Sequence, residues 1–426
     1  MKLFQKMLVA TASVGLIAPM AAQASDVLNL EGMNDYNSSN KSSATSLFDS
    51  ETFVNEVNEE LATLKGRVDG IEAIQNDYEA GSFSETTTLD GKVIFTVGAL
   101  NVEETGETEG TLATYMWQGN LNTSFTGDDN LYVRLKTGNA TGWQTSYTYG
   151  TYLSSSKGNA DAIKVDKIWY TFPVGEKHTV WIGPKIENYY MHATTPSIYQ
   201  PITKQFTLGG NGAAYGASTN PGFGWAYKAD NGFAISSNVV SKEGDSTSGW
   251  GTNESATSWA TQIGYTQPTY SASVILNMKY NGWTDSYYTT PFGKLRPNGG
   301  NSSNIGLRGW WRPEDAGKAT PSISLGYDTS ETDATTNSNT TAYFVGLTWE
   351  DTFTPDDKIG VAFGQPQTRE DETTVDPIAW EAYYSYQVND SVNVTPAIFG
   401  GSDRAGSAGR QGRDHLGAVV ETTFKF

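Results

Sequence analysis

The chain has 426 residues, no cysteine and a formal net charge of −19 at pH 7. The lack of cysteine excludes a fold held by disulfides, and an acidic chain without a basic block is unsuited to binding nucleic acid. After the N-terminus no segment approaches about 18 consecutive apolar residues, which excludes a bundle of membrane-spanning helices.

Residues 1–24 have the organisation of a secretory signal peptide. Two lysines precede a short apolar run, and Ala22-Gln23-Ala24 forms a small-x-small cleavage site. A membrane-spanning helix is the alternative, but the run is short for a bilayer and Pro19 interrupts it. We therefore expect a secreted, periplasmic or outer-membrane protein. Residues 25–49, rich in Ser and Asn, are predicted to form a flexible spacer.

A heptad pattern follows over residues 50–80. Apolar side chains recur at a three-four spacing that places one narrow stripe on a helix, and RVDGIE resembles a pattern found in short three-stranded coiled coils. The prediction is a periplasmic coiled coil that joins a homotrimer. The expected trimer contacts are Val54, Val57, Leu61, Leu64, Arg67, Val68, Ile71 and Glu72. A single amphipathic helix packed against the rest of the chain is the alternative.

From residue 84 to 426 the apolar period becomes two, which is typical of β-strands. Leu131, Val133 and Leu135, for example, alternate with Tyr132, Arg134 and Lys136. Seven short turns alternate with eight longer polar segments, and Tyr and Trp residues lie near strand ends. This organisation predicts an all-β fold, a transmembrane antiparallel β-barrel of about 16 strands with both ends on the short-turn side. A soluble β-sandwich is the alternative, but it rarely needs so many strands.

The C-terminal sequence ETTFKF is predicted to complete the last strand. Phe424 and Phe426 fall on its lipid-facing side, and the strand must pair with GKVIFTVGAL, because an open edge in lipid would leave backbone groups unsatisfied. The terminal aromatic residues also resemble the signal by which barrel-assembly machinery recognises its clients. We expect Phe424 and Phe426 to serve as this assembly signal.

Several stretches of these strands and turns resemble those of a known protein family. They are FSETTTLDGKVIFTVGAL, LNTSFTGDDNLYVRLKTGN, YTFPVGEKHTV, VGLTWED, FGQPQ, AWEAYYSYQVNDSVNVTPAIF and TTFKF. They resemble the cyanobacterial outer-membrane porins known as iron uptake porins, which belong to the carbohydrate-selective OprB-type porins. The resemblance implies a trimer in the outer membrane that passes small hydrophilic solutes, either inorganic ions, including iron, or sugars. Relatives often carry a surface-layer homology domain before the coiled coil, and only the spacer stands in its place here.

In a barrel whose apolar stripes face lipid, the alternate side chains line the lumen. The predicted pore-lining and selectivity residues are Arg134, Lys136, Lys279, Arg308, Glu381 and Glu421. Acidic stretches at 102–109, 330–333 and 369–372 fall in the longer segments, so we hypothesise an acidic outer mouth above a basic constriction. The alternative is that these are ordinary solvated lumen residues.

The longest loop, residues 185–220, has many aromatic residues and few charges. This composition favours a loop folded into the barrel, where aromatic faces could guide sugars. Its predicted constriction residues are Tyr189, Tyr190, Tyr199, Lys204 and Phe206. Packing at the trimer contact or over the rim is the alternative.

Enzyme and metal functions are disfavoured. The sequence has three histidines, no H-E-x-x-H zinc motif, no G-x-S-x-G and no G-K-[ST] phosphate loop, so we expect no catalytic residues, no metal and no cofactor. The predicted function is passive diffusion through an outer-membrane channel. The alternative is a plugged barrel that acts as a structural or adhesin protein of the envelope.

Overall fold

The computed structural model describes residues 86–102, 108–145, 150–210, 213–216, 218–242, 249–283, 300–314, 316–333, 339–369, 377–404 and 413–426, together with positions 65, 244 and 247. The chain divides into two units, Met1–Ala73 and Ile74–Phe426. The predicted signal peptide, spacer and coiled coil lie outside the described residues, Lys65 apart, and stay predictions. In the described part of the chain, no helix is long and apolar enough to cross a membrane.

Sixteen strands form one closed antiparallel barrel in which each strand pairs with the next in sequence and β1 pairs with β16. The strands are β1 (Thr87–Val102), β2 (Thr108–Thr123), β3 (Asn130–Gly138), β4 (Lys164–Val174), β5 (His178–Ile186), β6 (Asn220–Lys228), β7 (Phe233–Ser241), β8 (Thr257–Gln267), β9 (Tyr270–Tyr280), β10 (Ser302–Trp311), β11 (Ser322–Thr332), β12 (Thr340–Glu350), β13 (Lys358–Arg369), β14 (Ile378–Asn389), β15 (Val392–Arg404) and β16 (Arg413–Lys425). The predicted 16-stranded antiparallel barrel is confirmed.

Side chains alternate between the two sides of the wall. On β11, Leu325 and Tyr327 are 49% and 46% exposed, whereas Ser324 and Asp328, which flank them, are buried. The exposed side chains are thus apolar and the buried ones polar, which is the reverse of a water-soluble sheet. Such a surface is stable in the hydrocarbon of a membrane, with the polar side chains turned to the lumen.

The seam of the barrel joins the first and last strands, as the sequence predicts. Phe424 pairs with Val93, and its ring meets Phe95 edge to face at 5.3 Å. The backbone N–H of Gly91 donates to the carbonyl of Phe426 at 2.8 Å, and the N–H of Phe426 donates to the carbonyl of Gly91 at 3.1 Å. No strand edge is therefore left open where the two ends of the barrel meet.

The connections alternate along the chain. Seven lie at the end where the chain enters β1: 124–129, 175–177, 229–232, 268–269, 312–321, 351–357 and 390–391. Eight lie at the other end, the extracellular end in this class of barrel: 103–107, 139–163, 187–219, 242–256, 281–301, 333–339, 370–377 and 405–412. The sequence places one of the longer polar segments near residues 103–113, but this connection is shorter than expected, because β2 already begins at Thr108.

Two extracellular connections fold into the barrel, and we name them loop A (139–163) and loop B (187–219). They pair with each other, since Leu153 bridges Thr203 and the N–H of Lys204 donates to the carbonyl of Tyr152 at 2.7 Å. Their apolar side chains form a buried cluster with inward residues of β1, β2 and β12 to β16. The cluster contains Leu100, Val102, Trp143, Leu153, Tyr199, Ile202, Phe206, Phe344, Ala362, Ala379, Tyr383, Ala397, Phe399 and Val419, with Leu112 packed against it. The barrel therefore encloses a protein core of its own.

Candidate permeation pathway

Glu381, on the inner face of β14, holds loop B against the wall. Its carboxylate accepts hydrogen bonds from the Tyr199 hydroxyl (3.0 Å), the Ile202 N–H (2.9 Å), and both the N–H (2.8 Å) and the hydroxyl (2.5 Å) of Thr203. Glu381 is fully buried. Because buried charge is costly unless it is well hydrogen-bonded, all four donors contribute to keeping loop B in this position.

Arg308, on β10, holds the C-terminal half of loop B. Its guanidinium forms a 2.7 Å ion pair with Asp328 on β11 and donates to the carbonyl of Leu208 at 2.7 Å. It also lies over the ring of Tyr215, with 5.0 Å between Cζ and the ring centroid. Arg308 is 4% exposed, so these contacts leave little of its charge facing water.

Uncharged side chains hold loop B nearer its two ends, at Thr194 and Ala214. Gln262 on β8 exchanges two hydrogen bonds with the backbone of Thr194, at 2.9 and 3.0 Å. Asn277 on β9 donates to the carbonyl of Ala214 at 2.9 Å. Strands have no spare backbone donors on their faces, so the inward amide side chains satisfy the backbone of the loop.

Loop A is held in a similar way on the other side of the barrel. Ser155 donates its hydroxyl hydrogen to the carboxylate of Glu421 on β16. Thr114 on β2 donates to the side-chain oxygen of Gln144 at 2.6 Å, and Trp143 packs on Phe399 with ring centroids 5.9 Å apart. Loops A and B are thus each held by a buried glutamate of a C-terminal strand.

A basic wall extends along β3 and β4 beside these loops. Asp166 forms ion pairs with Arg134 and with Lys157, the latter at 3.2 Å, and Lys167 pairs with Glu187 at 2.8 Å. With the half-buried Lys136 and Lys204, the set contains more cations than carboxylates. Its members are Arg134, Lys136, Lys157, Lys167, Lys204, Asp166 and Glu187. We call this set the basic wall, and its net charge is opposite to that of the chain.

Four aromatic side chains stack along the same surface, and we call them the aromatic row. The ring centroids are 4.3 Å apart for Tyr132 and Trp169, 4.8 Å for Trp169 and Tyr190, and 4.3 Å for Tyr190 and Tyr189. The hydroxyl of Tyr190 accepts a 3.1 Å hydrogen bond from Arg134. Charged and aromatic groups therefore alternate over one continuous surface.

Three side chains of loop B differ in how readily they ionise. Burial lowers the pKa of Lys204 to about 8, and its ammonium lies 4.4 Å from the centroid of the Tyr152 ring. Burial also lowers the pKa of His192 to about 3 and raises that of Tyr190 to about 12. At neutral pH Tyr190 and His192 are neutral, so Lys204 is the loop B group among these whose charge responds near physiological pH.

Comparison with known proteins places this architecture in a family. Residues 45–400 match the family model of the carbohydrate-selective porin, OprB family. The chain belongs to this family. An uncharacterized protein of Nostoc sp. is 26% identical to this porin over 419 residues, which cover 87% of this chain and 71% of the relative.

Solved structures share the fold. The high-pH structure of Pseudomonas putida OprB has a TM-score of 0.56 at 13% identity, covering 80% of this porin and 94% of that chain. The in-vitro folded, trimer form of OmpT, an outer membrane protein of Vibrio cholerae, has a TM-score of 0.51 at 11% identity, covering 80% and 100%. Family and fold indicate a porin of the outer membrane and give no sign of catalysis.

The six predicted pore-lining residues of this porin all lie on the inner face, in two different settings. Arg134 and Lys136 belong to the basic wall. The other four are buried against loops A and B or the neighbouring wall, with exposures of 8% or less: Lys279, Arg308, Glu381 and Glu421. Their position beneath folded loops was not visible in the sequence, and a selectivity role for any of the six stays a prediction.

Of the predicted constriction residues, Tyr189 and Tyr190 lie in the aromatic row and Lys204 in the basic wall. Tyr199 and Phe206 are buried in the apolar cluster. Sequence reasoning missed Trp169 and Lys157, although Trp169 faces inward by the simple alternation of β4. Lys157 had no strand pattern to mark it, because it lies in loop A.

Two other predictions fall largely on residues that are not described. The trimer-contact residues, Val54 to Glu72, lie outside the described range, as do most of the acidic stretches 102–109 and 369–372. At 330–333, Glu331 is exposed at the extracellular end of β11. Among the described residues, no three His, Asp or Glu side chains are grouped as metal ligands.

Proposed function

We propose that this porin is a channel for passive diffusion of small hydrophilic solutes, and that permeants pass along the basic wall and the aromatic row. The observation that carries the proposal is the excess of cations inside a chain whose net charge is −19. A lumen lined by one sign of charge raises the local concentration of the opposite ion. We therefore expect anions to be preferred over simple cations.

The aromatic row supports sugars as permeants. Sugar rings have apolar faces that pack on aromatic side chains, while their hydroxyl groups accept hydrogen bonds from lysine and arginine. In the basic wall such donors lie beside the stacked rings of Trp169 and Tyr190. Iron, if it is a cargo, should pass as a neutral or anionic complex, because the free cation would meet like charge.

Recording from purified protein in a planar lipid bilayer tests this function. We expect stepwise conductance, a reversal potential in a salt gradient that indicates anion preference, and block by sugars. The double variant Arg134→Gln/Lys136→Gln should reduce the anion preference. The matched control is Lys177→Gln, which removes a lysine in the 175–177 turn that pairs with Asp230 at 2.6 Å. Cation preference in the unaltered channel would contradict the proposal.

The filled interior favours a second candidate, a plugged barrel with a structural or adhesin role in the envelope. Loops A and B place a buried apolar cluster inside the wall, which a wide channel does not need. The same recordings separate the two functions. A correctly folded barrel that never shows conductance steps would favour the structural role.

We also propose that the porin assembles as a homotrimer through residues 50–80, with the coiled coil in the periplasm. The heptad pattern supports this assembly, and the OmpT structure of the same fold is described as a trimer. Deletion of residues 50–80 should lower the trimer fraction in analytical ultracentrifugation. An unchanged trimer fraction would assign the contact to the barrel wall instead.

A further inference from the structure

One short pattern, F-T-x-D-D, occurs twice in this porin, and both copies form turns at the same end of the barrel. FTGDD at residues 125–129 joins β2 to β3, and FTPDD at residues 353–357 joins β12 to β13. The two copies lie 228 positions apart in the sequence, counted from Phe125 to Phe353. The pathway described above uses neither turn.

The last aspartate of each copy organises its turn. Asp129 accepts hydrogen bonds from the N–H groups of Phe125 (2.9 Å) and Thr126 (2.8 Å) and from the hydroxyl of Tyr170 (2.6 Å). At 7% exposure, the carboxylate is buried within the turn, away from the tip.

Asp357 repeats this arrangement. It accepts hydrogen bonds from the N–H groups of Phe353 and Thr354, both at 2.9 Å, and from the hydroxyl of Tyr384 at 3.0 Å. The register is also the same, because the tyrosine in each case pairs with the residue two positions after the aspartate. Two turns that share four of five residues, the hydrogen bonds to the last aspartate and the register indicate a common role.

Each turn presents its phenylalanine outside the wall. Phe125 is 66% exposed and Phe353 72%, the two highest values among the large apolar side chains that the structure describes. Their rings pack on Tyr170 and Tyr384 at centroid distances of 6.4 and 5.6 Å. Both tyrosines face outward, because their neighbours Trp169 and Tyr383 are buried inside the barrel.

The chemistry of the turns fits a lipid surface. The charge of Asp129 and Asp357 and the N–H groups beside it are satisfied within the turn, so little polar surface would be desolvated if the ring entered lipid. The outward face continues into further aromatic side chains, since Tyr170 stacks on Phe172 at 5.5 Å. At the tip, exposed Asp128 and Asp356 favour water, which restricts the ring to the interface.

We propose that these two turns are lipid anchors, in which Phe125 and Phe353 insert into the periplasmic leaflet of the outer membrane and fix the depth of the barrel. The partner is the boundary between lipid headgroups and hydrocarbon, not another protein. Because the anchors lie on separate parts of the wall, β2–β3 and β12–β13, they also oppose tilting of the barrel.

The lack of native cysteine allows a direct test. Single variants Phe125→Cys and Phe353→Cys are labelled with an environment-sensitive fluorophore, and the porin is reconstituted in phosphatidylcholine vesicles. Quenching by nitroxides on the lipid chains is compared with quenching by iodide in water. Glu176→Cys, in the exposed 175–177 turn, is the water control, and Ile263→Cys, outward on β8, is the lipid control.

We expect both phenylalanine positions to gain lipid quenching and lose iodide quenching relative to Glu176. Adding Tyr170→Phe or Tyr384→Phe removes the hydroxyl that donates a hydrogen bond to the aspartate of that turn. Part of the iodide quenching should then return at the label in the same turn and not in the other. Iodide quenching equal to that of Glu176 would overturn the proposal. Protection from both quenchers would also overturn it, because the tips would then be covered by protein.

Discussion

Glu381 and Thr203 are 178 positions apart in the sequence, yet one carboxylate oxygen of Glu381 accepts hydrogen bonds from both the N–H and the hydroxyl of Thr203. With Tyr199 and Ile202 on the other oxygen, this contact determines where loop B crosses the lumen. The inward glutamate on β14 is therefore one of the main contacts that hold loop B inside the barrel.

Glu381→Gln should loosen loop B, because the amide group brings its own donors to a site that contains only donors. A buried unsatisfied donor costs about 1–3 kcal/mol. We expect noisier single-channel current with frequent partial closures, measured in a planar bilayer. Glu331→Gln, an exposed acid on β11, is the control. Quiet current in Glu381→Gln would contradict this function of the carboxylate.

Arg134 and Arg308 should respond differently to the same substitution. Arg134→Gln removes a cation of the basic wall and should shift the reversal potential towards cation preference. Arg308→Gln breaks the ion pair to Asp328 and the bond to loop B, so it should change conductance and noise more than ion preference. Equal shifts in reversal potential would show that both guanidinium groups face the ion path.

Anion preference should fall as the pH rises through about 8. Burial lowers the pKa of Lys204 to about 8, so the ammonium is charged below that pH and is lost above it. Reversal potentials measured between about pH 7 and pH 9 should show the decline. In Lys204→Arg the charge persists over this range, and the pH dependence should be reduced. An equally steep decline in Lys204→Arg would assign it to another group.

Tyr190→Ala should weaken sugar block by interrupting the aromatic row. An aromatic contact of this kind contributes about 0.5–1.5 kcal/mol, which corresponds to a roughly two- to tenfold higher half-blocking concentration. Tyr386→Ala, 42% exposed on the outward face, is the control. Unchanged block by sugars would exclude the row as their path.

Phe426→Ser should hinder assembly more than conduction. Phe426 exchanges two backbone hydrogen bonds with Gly91 at the seam, and its side chain is 54% exposed at the short-turn end. We expect less folded barrel in the outer membrane, measured by heat-modifiable mobility on gels, with normal conductance from each channel that does form. A normal yield with altered conductance would contradict an assembly signal.

The wall of this porin could be predicted from sequence because its pattern is local. Leu131, Val133 and Leu135 alternate with Tyr132, Arg134 and Lys136 within one strand, and a period of two defines both faces. The turns could be read from Gly, Asp and Pro at short intervals.

The interior could not be predicted, because its contacts join distant segments. Nothing near Arg308 in the sequence indicates that loop B covers it. Loop A gave no signal at all, since Trp143, Leu153 and Ser155 follow no period. Composition alone indicated that loop B, with its many aromatic residues, folds inward.

The glutamates that hold the loops have a consequence for how the barrel matures. The loop residues that they hold, Ser155 and Thr203, belong to the first half of the chain, whereas Glu381 and Glu421 lie on β14 and β16, with Ser155 and Glu421 separated by 266 positions. Contacts at such separation have a high loop-closure cost and cannot form until the C-terminal strands are in place. Loops A and B can therefore reach their final positions only after β14 and β16 have formed. Before that point, a folding barrel has part of its wall but no defined lumen. Conductance should become uniform only after β16 has closed on β1.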